Sequence, residues 1–115
     1  MRTESRTHLS VVGGKARVAR VTVAACSSEE KKMCLTTPEY LLNERVPLRL
    51  SEEDQNYIRS AQDAAYECWS KLAHKEEFAV VMKIDLPIVD MHIEAVKAAA
   101  TEATKALFQN ENHGV

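Results

Sequence analysis

The sequence predicts an α+β fold, a four-stranded mixed sheet with two long helices packed on one face, in the order β-β-α-β-α-β-α. Three observations lead to it. Two β-rich runs meet at Gly13-Gly14. Two stretches of about 22 residues carry apolar side chains at alternating spacings of three and four. Between those stretches, Phe78, Val80, Met82 and Ile84 alternate as a strand does.

The first pair of strands falls at 8–12 and 15–25. Glycine supplies the positive φ that two-residue hairpin turns require, so Gly13-Gly14 is the turn. Residues 26–36 contain Ser-Ser-Glu-Glu-Lys-Lys and read as a solvated loop. Thr37, Pro38 and Glu39 then supply an N-cap, a proline at the first helical position and an acid in the first turn, which predicts a short helix through Leu42. Val46, Leu48 and Leu50 alternate with Arg45, Pro47 and Arg49, which predicts a half-buried strand, at an edge because Pro47 cannot donate to a ladder.

Ser51 followed by Glu52, Glu53 and Asp54 opens the first long helix, with a capping hydroxyl and three acids at the positive end of the dipole. Ile58, Ala61, Ala65, Cys68 and Leu72 form its stripe. At 100° per residue the apolar arc spans about 200°, twice what burial against one sheet needs. The helix should therefore meet two surfaces, a sheet and either another helix or another chain. Residues 77–84 read as the central strand, parallel to the 45–50 strand through a right-handed crossover. Asp85 and Pro87 start the last helix, striped by Val89, Ile93, Val96, Ala100, Ala103 and Leu107.

The 115 residues fit one domain, 1–115, with 1–6 and 110–115 as frayed tails. Three cysteines without close pairing are no disulfide framework, no signal-peptide run follows the charged N-terminus, and a cytoplasmic location is expected. The net charge of −2 is unevenly spread. Residues 1–32 hold seven basic and three acidic side chains, a balance of +4, and the remainder holds eight against fourteen, a balance of −6.

Few residues invite chemistry. His92, read on the apolar arc of the last helix, is the candidate for a general base or a pH switch. Asp90, His92 and Glu94 would converge on a metal only in a strand, because on a helix the histidine points away from the acids. Cys26 and Cys34, with His8 within reach, lack the tight pairing of zinc ligands. Cys68 belongs to the helical stripe. Gly13-Gly14-Lys15 lacks the remainder of a phosphate loop. No catalytic, metal or cofactor site is therefore assigned.

Partner-binding residues are assigned instead. Lys15, Arg17 and Arg20 make a basic hairpin, with Arg2, Arg6, Lys31 and Lys32 near in sequence. Tyr66 and Trp69 lie where the first helix's apolar arc overruns, and aromatics at a core rim are favoured interface anchors. The segment from Arg45 to Asp54 resembles, over ten residues, the strand-to-helix opening of ribbon-helix-helix DNA-binding proteins. The long helix after it and Pro47 within the would-be ribbon depart from that pattern. The expected function is non-enzymatic regulatory binding through protein contacts, as a homodimer. A DNA-binding regulator using the basic hairpin is the alternative, and an enzyme centred on His92 is third. No membrane partner is expected.

Overall fold

The computed structural model describes residues 2–27, 29, 37–72, 77–87 and 91–113, the side chains of 110–113 excepted. Its elements run β1 (Arg2–Val12), β2 (Lys15–Ser27), β3 (Glu39–Leu42), α1 (Glu52–Leu72), β4 (Glu77–Leu86) and α2 (Ile93–His113). The sheet order is β1-β2-β4-β3, with β3 parallel to β4 and the other neighbours antiparallel. The predicted α+β class and mixed four-stranded sheet are both present.

Gly13 and Gly14 sit at φ 60° and 78°, so both central positions of the β1–β2 turn occupy the left-handed region that glycine tolerates. From that turn the ladder runs unbroken from Val12↔Lys15 to Arg2↔Ala25. Residues 2–6 are therefore strand rather than frayed tail. Ala19, Val21, Val23 and Ala25 point from β2 into the core. A register shift between Thr22 and Val23 inserts one extra residue in β4, so Ile84 and Val81 both face inward.

The third strand lies elsewhere than the sequence predicts. Residues 39–42 pair with β4 instead of coiling into a helix, with Tyr40 buried. Asn43 and Glu44, at φ 51° and 65°, then reverse the chain, with Leu42 and Arg45 exchanging backbone hydrogen bonds at 2.8 and 3.1 Å. Residues 45–50 form no strand beyond a single bridge at Arg45, and Val46 and Leu48 are exposed. The strand–helix–strand unit with parallel pairing exists, but 39–42 opens it.

Both helices lie on one face of the sheet. Ser51 caps α1 as predicted: the Asp54 amide donates to Ser51 Oγ at 3.0 Å, and the Ser51 amide donates to Asp54 Oδ2 at 2.9 Å. The wide apolar arc of α1 meets β4 on one side and α2 on the other. The alanines of α2 at 95, 99, 100 and 103 are buried, which brings the helix axes close. The start of α2 differs from expectation. Asp85 and Leu86 are in β4, paired with β2 and β3, and the helix begins at Ile93. Val89 and Asp90 lie outside the described residues. No helix among the described residues is long and apolar enough to cross a membrane.

Candidate functional site

The β1–β2 turn and the start of α2 occupy the same end of the molecule. Val12, Lys15, Ala16 and Arg17 from the hairpin line a shallow depression of about 330 Å³ together with Met91 and His92. Arg17 lies opposite Ser10 on β1, on the face that carries Ala19 into the core, so it leans toward the helix layer. Among the described residues neither Lys15 nor Arg17 has an ion-pair partner.

His92 is placed otherwise than the sequence predicts. It is the N-cap of α2, not a member of its apolar stripe. Its carbonyl accepts from the Ala95 and Val96 amides at 3.1 and 3.2 Å, and its Nδ1 accepts from the Glu94 amide at 3.1 Å. With Nδ1 accepting, the neutral ring carries its proton on Nε2. His92 also borders a second depression of about 290 Å³, shared with Glu53, Asn56, Tyr57, Met91 and Ile93. There the Tyr57 hydroxyl donates to Glu53 Oε1 at 2.8 Å. Burial first, and that hydrogen bond second, push the Tyr57 phenol up to about 12. Glu53 is thus engaged by a phenol that stays protonated, and among the described residues no nucleophile–base pair forms around the imidazole.

Arg20 parts company with Lys15 and Arg17. It projects from the opposite face of the sheet, the one the helices leave open, and shares a concavity of about 660 Å³ with Thr7, Val18, Leu41, Lys83 and Asp85. The basic hairpin of the sequence is therefore two surfaces, with Lys15 and Arg17 toward α2 and Arg20 behind them. Leu9, Val11 and Val12 are exposed near the same turn, at 64%, 68% and 50%.

The aromatic pair on α1 is also divided. Tyr66 is 71% exposed, while Trp69 is only 6% exposed and donates Nε1–H to the Glu77 carbonyl at 3.0 Å. Trp69 is a core residue.

A groove of about 420 Å³ between α1 and α2 has Ala64, Cys68, Leu72 and Thr101 at its base and Lys71, Lys97 and Lys105 at its rim. Burial raises the Cys68 thiol above its usual range, with Lys105 and Lys71 opposing more weakly. Alkylation of Cys68 at neutral pH, followed by peptide mapping, should therefore run slower than alkylation of a free cysteine reference. A faster rate would contradict that placement. Cys26 is buried in β2, and Cys34 lies outside the described residues, as do Lys31 and Lys32. His8, considered beside those cysteines, has its Nδ1 2.9 Å from Glu102 Oε1 instead. No group of three or more metal-ligating side chains gathers among the described residues.

No protein-family model and no curated protein matches the chain. Among solved structures, ttk003000868 from Thermus thermophilus is similar, with 16% identity and a TM-score of 0.57. The match covers 92% of this chain and 16% of that one, so the present fold corresponds to one portion of a much longer protein. At that identity the likeness is one of fold alone.

What the sequence missed is the convergence. The basic residues near the turn were visible, but their meeting with Met91 and His92 depends on where β4 ends. The usable signal was His92-Ile93-Glu94, a polar residue with an acid two positions on, at the head of an alanine-rich run. Pro87 drew the helix start too early.

Proposed function

We propose that the protein is a non-enzymatic binding domain that presents its hairpin end to the phosphodiester backbone of a nucleic acid. One observation carries the reading: Lys15 and Arg17 lie unpaired among the described residues, beside the first turn of α2 in a shared open depression. Lysine and arginine provide charge and forked donors for phosphate, and the dipole of α2 adds positive potential at its N-terminus beside them. The acidic balance of the remainder, −6 over residues 33–115, disfavours a larger footprint on a polyanion.

Fluorescence anisotropy with a labelled DNA duplex and a labelled RNA stem-loop, each titrated over a salt series, tests it. The double variant Lys15→Ala/Arg17→Ala should weaken binding about tenfold or more and flatten the log–log salt slope by about 1.5 to 2. The two ligands distinguish the source of the phosphates. Lys105→Ala, a cation in the inter-helix groove, should change neither. Equal affinities for wild type and the double variant would end the reading.

A second reading, protein binding, is favoured by the exposed Leu9, Val11 and Val12 at the same end. It keeps the expectation of protein contacts but moves the surface from the α1 flank to the hairpin, since Trp69 lies in the core and leaves Tyr66 alone on that flank.

A further inference from the structure

The sheet order leaves β1 at an edge with no strand beside its outer side among the described residues. Natural edges of this length are guarded by proline, a bulge or charged side chains, because a free row of amides and carbonyls recruits another strand. β1 contains no proline, its register against β2 is unbroken over eleven pairs, and its guards are the charges of Arg2, Glu4 and Arg6, which a partner of matching charge would satisfy.

The charges along β1 select a partner. Arg2, Glu4, Arg6 and His8 face the helix side, and Thr3, Ser5 and Thr7 face the open side. A second copy turned about an axis normal to the sheet through Ser5 would set Glu4 opposite Arg6 of that copy, and Arg6 opposite its Glu4. Thr3 and Thr7 would pair in the same way on the other face. Sliding the copies by two residues in either direction destroys the match, placing Glu4 against Glu4 or Arg6 against Arg6. Arg6 already lies 2.9 Å from Glu4 of its own chain, so the dimer would close a four-membered ring of alternating charge. The remaining juxtaposition, Arg2 with His8, involves side chains already engaged within each chain, Arg2 by Glu77 and His8 by Glu102. His8–Glu102 also ties α2 to β1, so the two α2 helices would flank each other across the joint.

We infer that β1 is the interface of a homodimer, two copies pairing antiparallel about Ser5 into one eight-stranded sheet with all four helices on the same side. It goes beyond the nucleic-acid reading and does not depend on it, because Lys15 and Arg17 lie outside the paired segment.

Light scattering across a concentration series should show wild type at twice the 12.9 kDa chain mass. Arg6→Glu sets four acids against one another and should raise the dimer dissociation constant about tenfold or more, as should Glu4→Arg with the opposite sign. The exchange Glu4→Arg/Arg6→Glu restores every pair and should restore the dimer. Circular dichroism keeps folding separate from association, and if one single variant fails to fold, the other and the exchange still decide. A monomeric wild type, a dimer indifferent to both single variants, or an exchange that stays monomeric would each overturn the inference. Phosphate affinity of the Lys15→Ala/Arg17→Ala variant reports on the other surface and leaves this result untouched.

Discussion

Trp69→Ala should lower the unfolding free energy by about 3–5 kcal/mol, the usual loss for a buried indole, and Tm by on the order of 10–20 °C. Two effects add. The ring is 6% exposed against the cluster that joins α1 to β4, and its removal leaves a cavity. Its Nε1–H also satisfies the Glu77 carbonyl at the first residue of β4. Trp69→Phe isolates the second effect: most of the apolar area survives, and losing the donor should cost about 1–2 kcal/mol. Tyr66→Ala, one turn earlier and exposed, should stay within about 0.5 kcal/mol of wild type. The chain has a single tryptophan, so its emission reports the site directly. Emission should be blue-shifted and shielded from acrylamide in the folded state, in monomer and dimer alike. A stability loss for Trp69→Ala under about 1 kcal/mol, well below the range for a buried indole, with a quencher-accessible ring, would return Trp69 to the surface as an interface anchor.

The contrast between these two aromatics shows where sequence reasoning reached its limit. Helical periodicity placed both on the flank of the α1 arc, but which part of that flank is covered depends on where β4 begins. The same dependence explains the third strand. Val46, Leu48 and Leu50 do alternate, yet the place beside β4 is filled by Glu39–Leu42, a strand of four residues, too short to show a period. Asn43 and Glu44 then turn the chain in left-handed conformations that no glycine marks in advance. Thr37-Pro38-Glu39 imitates a helix start because proline suits the first position of a helix and the start of an edge strand equally. Local signals with a single physical solution survived: the Gly13-Gly14 turn, the Ser51–Asp54 cap, and the alanine stripe of α2. The candidate site combined both kinds. Lys15 and Arg17 were legible as a basic turn, whereas their separation from Arg20 follows from strand parity against Ala19, and their meeting with His92 follows from the length of β4.

Asp54 should be the residue through which acid first loosens the β3 edge. The residue is 7% exposed. Its carboxylate accepts from the Tyr40 hydroxyl at 2.7 Å through Oδ1 and from the Ser51 amide at 2.9 Å through Oδ2, joining β3 to the first turn of α1. Burial alone would raise its pKa, but the hydrogen bonds from Tyr40 and from the Ser51 backbone and side chain outweigh it, and the group titrates below its ordinary 3.8. Tyr40 moves the opposite way, first through burial and then through this bond, so its hydroxyl remains a donor throughout the range in which the protein would be studied. Asp54→Ala leaves a buried phenol and a helix-cap amide without their acceptor and should cost about 2–4 kcal/mol at neutral pH. The pH dependence follows from the sign of the shift. A carboxyl with a depressed native pKa binds protons more readily in the unfolded chain, so its contribution is complete above about pH 5 and is lost as pH falls through the native value. Urea unfolding of wild type and Asp54→Asn at pH 7, 5, 4 and 3 should therefore give a stability gap that is constant between 7 and 5 and narrows below about 4. A gap that stays constant down to pH 3, or that widens with acid, would mean that Asp54 is not the charged acceptor holding Tyr40. Tyr40→Phe supplies the reciprocal measurement: without the phenolic donor the pH-dependent part of the gap should shrink, while the part due to the Ser51 cap persists.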